Sequence, residues 1–296
     1  PMWIETSLQT VMLGTAMLGF IAGCLGTFAV LRKQSLLGDA VSHAALPGVV
    51  LGFLLFGKWS FVLLLGAAAS GLLAMFFVTG ITRTSRVPFD SALAGALAVF
   101  FGAGLLLKSL TPGSGTAGID RYLFGQAATL LPRDLWLIAG AGAIALTLLL
   151  VFWKEFAVLT FDREFAAGLG LPVRGLDALL TALIVLAIVI GLESVGVVLM
   201  SALVVAPAAA ARQWTDRLPR MTLIAGLFGA ISGAAGSYLS HVLSGPGRSV
   251  PTGPTIVLCA TGIVVISFAS RALKSWYRSM TVDTSPEGHA IPGTAA

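Results

Sequence analysis

Charge is what this sequence has least of. Of its 296 residues, 10% are Asp, Glu, Lys or Arg, where an ordinary soluble domain carries about 25%. So few charges cannot cover a water-facing surface, which excludes a soluble globular fold. Cysteine is nearly absent too. Cys24 and Cys259 both lie inside apolar runs without C-x-x-C spacing, which argues against a thiolate metal centre or a disulfide framework. There is no G-x-x-x-x-G-K-[ST], so the chain does not hydrolyse ATP through a P-loop. H-E-x-x-H and G-x-S-x-G are missing, so an intramembrane hydrolase has no support. No span carries the repeated Arg of a voltage sensor. The first apolar run is too long for a secretory signal and lacks a small-residue cleavage pattern, so it reads as a retained span.

What is present is apolar. Hydrophobic residues make up 57% of the chain, with 35 Gly. Runs of roughly 20 apolar residues, the helical length that crosses about 30 Å of hydrocarbon, recur almost to the end. The expected fold is an all-α polytopic transmembrane bundle. Its spans are 8–31, 36–57, 60–81, 90–110, 134–153, 175–192, 194–211, 219–243 and 251–273. That is about nine spans, or eight if one of the two interrupted by Pro47 and Pro207 fails to cross. Residues 1–273 read as the membrane domain and 274–296 as a polar, disordered tail in which His289 is incidental.

The net charge of +5 comes from Lys and Arg scattered singly between apolar runs, which fits membrane orientation better than nucleic-acid binding. Nine spans place Lys58, Lys108, Arg121, Arg133 and Arg248 on one side. The other 13 of the 18 Lys and Arg fall on the opposite side. By the positive-inside rule the N-terminus is then outside and the C-terminus cytoplasmic.

Within the spans, Gly226, Gly229, Gly233 and Gly236 share one helix face, a packing seam where backbones approach closely. Asp39 and His43, in LLGDAVSHAALPG, sit four apart and so one turn above the other. A carboxylate and an imidazole converging there suit a borderline divalent metal such as Mn, Fe or Zn. Pro47 deprives the His43 carbonyl of its helical partner. The plainer alternatives are that the pair bond only each other, or lie at the membrane surface beside Arg32 and Lys33. Glu193, between AIVIGL and VGVVLM, reads either as a metal-attracting carboxylate at the outer mouth or as a solvated turn residue. The interval 154–175 contains FDREFAAGLGL. It reads either as a short amphipathic surface helix with Asp162 at its start and Gly168 or Gly170 at its end, or as a plain loop.

The stretches LLGDAVSHAALPGVVLG, FDREFAAGLGLPV, VGVVLMSALVVAPAAAARQWTD and VPTGPTIVL, in that order, resemble the permease subunits of bacterial ABC importers for manganese, zinc and iron. The resemblance covers nearly the whole hydrophobic part. It implies a type II ABC importer-like permease in the bacterial inner membrane, with no tightly bound cofactor and with Mn2+, or Zn2+ or Fe2+, as cargo. It implies three protein partners: a separate ABC ATPase, a metal-binding substrate-binding protein, and a second permease chain, identical or paralogous. Asp39 and His43 then correspond to the metal-handling pair. Phe161, Asp162, Glu164, Phe165 and Gly168, within 161–172, correspond to the coupling helix that docks on the ATPase. Glu193 stands where such permeases often carry glutamine. SHAALPG and GTAGIDRYLFGQAA look like the manganese-type branch, although O/N ligands by themselves favour zinc. Two other readings compete: a proton-coupled secondary transporter relaying protons through Asp39 and His43, and an intramembrane metalloenzyme, for which no second polar cluster offers a base.

Overall fold

The computed structural model describes residues 2–57, 59–110, 130–245 and 250–282. GTAGIDRYLFGQAA and the chain beyond Val282 lie outside the described residues. Among those described, the regular elements are twelve helices: α1 Met2–Leu31, α2 Leu37–Ala44, α3 Leu46–Phe56, α4 Ser60–Thr84, α5 Phe89–Ser109, α6 Pro132–Val151, α7 Trp153–Phe161, α8 Arg163–Gly168, α9 Val173–Val195, α10 Val197–Ala211, α11 Leu218–Leu243 and α12 Thr252–Val282.

Eight segments are long and apolar enough to cross a membrane, with α2 and α3 counting together as Leu37–Phe56. The expected span 194–211 is shorter than a crossing helix. At 15 residues, α10 rises about 22 Å, short of the roughly 30 Å of hydrocarbon. It runs through Pro207 and is set off from α9 by Gly196, whose φ of 84° ends the preceding helix. Helix α10 packs against α1, α2, α9, α11 and α12, the protein surroundings that irregular structure at membrane depth requires.

Contacts give the direction of each pass. Gly19 abuts Gly229, and Thr15 donates to the Gly233 carbonyl at 3.0 Å, so α1 and α11 are antiparallel. Gly14 faces Ile138 and Ile21 faces Gly142, so α6 runs parallel to α1. Ser240 meets Thr252, and Trp214 donates to Ser267, which returns α12 antiparallel to α11. Met200 lies against Gly191, while Ala208 and Ala211 pack with Met221 and Leu31, so α10 makes a pass of its own. The start of α1 and the end of α12 are therefore at opposite ends of the bundle. Helix α12 continues to Val282, past the expected domain end at 273.

The glycine seam is real but divided. Gly226, Gly229 and Gly233 leave no room for a Cβ against α1, whereas Gly236 presses on Ile256 of α12. The seam thus holds α11 to two neighbours. Its polar clasp is Thr15 with Ser237, 2.9 Å apart and buried.

Candidate metal site and coupling surface

The second span breaks at Ala45, between α2 and α3, as a proline two residues on requires. The Ala44 carbonyl accepts from the Ser70 hydroxyl at 2.6 Å. Gly48 and Gly66 bring α3 and α4 into backbone contact beside it. Pro47, which has no N–H, offers the His43 carbonyl no i+4 donor. Ser70 had no signal in sequence because it is distant along the chain.

Six of the eight residues of α2 are buried, and the two that are not are Asp39 and His43. Their side chains keep 48% and 27% exposure, with Oδ1 and Nε2 3.5 Å apart. That is longer than a good hydrogen bond of about 2.7–3.2 Å. Within α2 the two are a loose i, i+4 pair. Two metal–ligand bonds of about 2.1 Å at a tetrahedral angle would separate their donor atoms by about 3.4 Å. His43 Nδ1 is buried without a partner, and the ring lies edge-on to Phe101 of α5, centroids 4.7 Å apart. Phe101 fixes the ring plane and leaves Nε2 as the accessible nitrogen.

Depth follows from neighbours. Gly71 lies level with Val41 of α2 and Val185 of α9, and Gly71 and Val185 sit near the midpoints of α4 and α9. His43, two residues on, is then about 3 Å along the helix from that level. Among the described residues no group of three His, Cys, Asp or Glu side chains assembles. Glu193 falls in the last turn of α9, and its side chain lies outside the described residues.

At the other candidate segment the chain forms a helix rather than a plain loop. Asp162 caps α8 by accepting from Phe165 N at 2.8 Å. Gly170, at φ 77°, turns the chain after it. Ala166 is buried, while Phe165 and Leu169, four residues apart, stand 57% and 57% exposed, and Phe161 at the end of α7 stands 63% exposed. Helix α7 anchors this segment, with Phe156 buried against Phe28 of α1, centroids 6.3 Å apart.

Sequence reasoning missed Asp177. This carboxylate, one turn into α9, joins three arginines: Arg32 after α1, Arg163 of α8 at 3.0 Å and Arg83 of α4 at 3.6 Å. It ties the turn preceding the Asp39 helix to the surface helix α8. A lone acid in LDALLTALIVL was the available signal, since ionisable groups inside spans are costly and rarely idle. Arg32 is 9% exposed, and a buried partner left unpaired costs about 3–5 kcal/mol. Asp177→Ala is therefore expected to destabilise the chain by about 3 kcal/mol, with Arg32→Met restoring part of the loss. Thermal melting of the purified single and double variants tests this. If Asp177→Ala melts with the wild type, the ionic hub assignment fails.

Comparison with known proteins places these features in a family. The ABC 3 transport family matches residues 5–271. The chain is 48% identical over 273 residues to the manganese transport system membrane protein MntC of Bacillus subtilis, covering 90% of this chain and 62% of that one. It is 47% identical over 267 residues to the zinc transport system membrane protein TroC of Treponema pallidum, covering 89% and 88%. A solved structure of PsaBC from Streptococcus pneumoniae in complex with Fab superposes with TM-score 0.77 at 32% identity, over 88% of this chain and 91% of that one. A putative metal-chelate type ABC transporter in an inward-facing conformation gives TM-score 0.69 at 16% identity, which speaks for the fold alone.

Proposed function

The chain belongs to the ABC 3 transport family, and from that premise we propose that it is the membrane permease subunit of an ATP-driven importer of divalent transition metal, manganese first and zinc or iron next. The observation that carries the proposal is α2, an otherwise buried helix at mid-bundle whose two open positions are Asp39 and His43. The names of similar proteins, for manganese in Bacillus and zinc in Treponema, support a metal of this class. Manganese is preferred on the SHAALPG likeness, and selectivity would rest on geometry and on the delivering protein rather than on ligand type.

Two ligands are too few for a held ion, and a transported ion must also be released. A second permease chain, related by two-fold symmetry, would double the set to two carboxylates and two imidazoles. Helix α5, which brings Phe101 to His43, exposes Ser91, Gly95, Ala98 and Gly102 along one face, and small residues suit close helix approach in lipid. Glu193, if it lies on the path, adds a carboxylate toward the outer side. The separate ATPase docks on α8, where Phe161, Phe165 and Leu169 present uncovered apolar surface beside Asp162, Glu164 and Gly168. The arginine-rich end of the bundle, with Arg32, Arg83 and Arg163, is the cytoplasmic one in the bacterial inner membrane. A metal-binding protein delivers the ion from outside.

Co-expression with a P-loop ATPase from the same genomic neighbourhood tests the proposal. The two are expected to purify together, and cells are expected to take up Mn2+ in an ATP-dependent way that a protonophore does not abolish. Uptake that collapses with the proton gradient while ATP is maintained would favour the secondary-transporter reading.

A further inference from the structure

Between α4 and α9 runs a groove of about 590 Å³ whose walls are apolar, among them Leu72, Phe76 and Ala178. At its arginine-rich end it closes on Arg83, Arg174, the Asp177 carboxylate and the Thr79 and Thr181 hydroxyls. From Ala69 to Arg83 the groove follows α4 for about 21 Å, enough to cross the roughly 15 Å of hydrocarbon in one leaflet and reach the headgroup level. A smaller polar recess of about 330 Å³ adjoins it, sharing Thr79, Arg83 and Asp177 and adding Arg163 and Gln34.

The charge at this end is unbalanced. Arg32, Arg83 and Arg163 converge on Asp177, and Arg174 lines the same groove. Four guanidinium groups thus face one carboxylate. Two buried polar atoms here lack partners, Nη1 of Arg32 and Oε1 of Gln34. The groove opens on the side of α4 where Leu72, Leu73 and Phe76 are exposed, the opposite direction from Asp39 and His43 across α2.

The geometry points to a binding site for an anionic phospholipid, its phosphate held by Arg83 and Arg174 and one acyl chain laid along Leu72 and Phe76. Basic pockets between membrane helices at the cytoplasmic surface take headgroups in this way, each Lys or Arg contributing enough to change affinity about fivefold. A cationic or zwitterionic headgroup would leave the excess positive charge unanswered, and a free anion would leave the apolar groove empty. A lipid seated here would touch the Asp177 hub and so the base of α8. The inference is independent of which metal the protein carries.

The test uses the purified full-length chain in mild detergent. Dioleoylphosphatidylglycerol, dioleoylphosphatidylcholine and soluble glycerol 3-phosphate are titrated separately, and thermal melting is followed by tryptophan fluorescence. Phosphatidylglycerol is expected to raise the melting temperature by roughly 4–8 °C at saturation, and the other two by much less. Arg174→Gln removes an exposed charge outside the Asp177 network, so it should fold normally and raise the half-saturating lipid concentration about fivefold. Gly80→Leu should weaken the effect through the groove alone, since a Cβ there meets no atom within 4 Å and the position lines the groove, where the added side chain would stand in the lipid's path. Equal stabilisation by phosphatidylcholine would mean ordinary annular lipid, and equal stabilisation by glycerol 3-phosphate a free-anion site. Either result overturns the proposal, as does an unchanged titration in both variants.

Discussion

Asp39→Ala and His43→Ala are each expected to abolish manganese uptake while leaving expression and membrane insertion intact. Changing a residue that merely orients a metal ligand costs about 10–100-fold, so loss of the ligand itself should cost about 100-fold or more. Folding should survive because the pair contributes little to it. Asp39 is half exposed and its contact with His43, at 3.5 Å, is loose; partly exposed pairs of this kind contribute about 0–1 kcal/mol. Radioactive Mn2+ uptake in cells, normalised to the amount of inserted protein, is the measurement. Ser42→Ala on the buried side of α2 is the control, since the Ser42 hydroxyl donates to the Gly38 carbonyl within α2 itself and should leave transport near normal. Wild-type uptake by either alanine variant would remove that residue from the site. Loss of inserted protein would assign the pair a structural role instead.

Glu164→Lys and Gly168→Trp should separate ATP hydrolysis from transport. Neither position is packed into the chain's own fold: a Cβ at Gly168 meets nothing within 4 Å, and Glu164 is exposed. Any loss is therefore read on a partner. The exposed row of Phe161, Phe165 and Leu169 has the character of an interface anchor, and anchors of this kind are worth about 2 kcal/mol or more, near 30-fold in affinity. Both variants are expected to weaken co-purification of the ATPase by about that factor and to lose stimulation of its activity by transport. Phe165→Asp should do the same by placing a charge at the anchor. Unchanged association and stimulation in all three would put the docking surface elsewhere on the arginine-rich end.

Much of this was legible in the sequence because a bilayer is a harsh selector. A residue run either carries enough apolar side chains to cross or does not, so the helical class and most of the spans followed from hydropathy alone. Asp39 and His43 stood out for the same reason, since charge inside a span needs a purpose and helical periodicity puts residues four apart on one face. The start of α8 was legible from Asp162, whose carboxylate is the natural acceptor for the backbone N–H groups of a first turn.

Other features depend on contacts between residues far apart in the chain, and periodicity carries no information about those. That α10 is short yet packed follows from its five helical neighbours, α1, α2, α9, α11 and α12, which hydropathy does not reveal. Gly236 shares a helix face with Gly233, yet it serves α12 rather than α1, because α11 is wedged between both. Ser70 reaches the broken helix at Ala44 only because Gly48 and Gly66 let α3 and α4 touch. Asp177 looks like an isolated acid until folding brings arginines from three other segments within a few ångströms of it. Sequence determined which residues could not face lipid. Tertiary packing decided which partners they met instead, because an electrostatic or backbone contact across 145 residues, as between Arg32 and Asp177, exists only once the helices have docked.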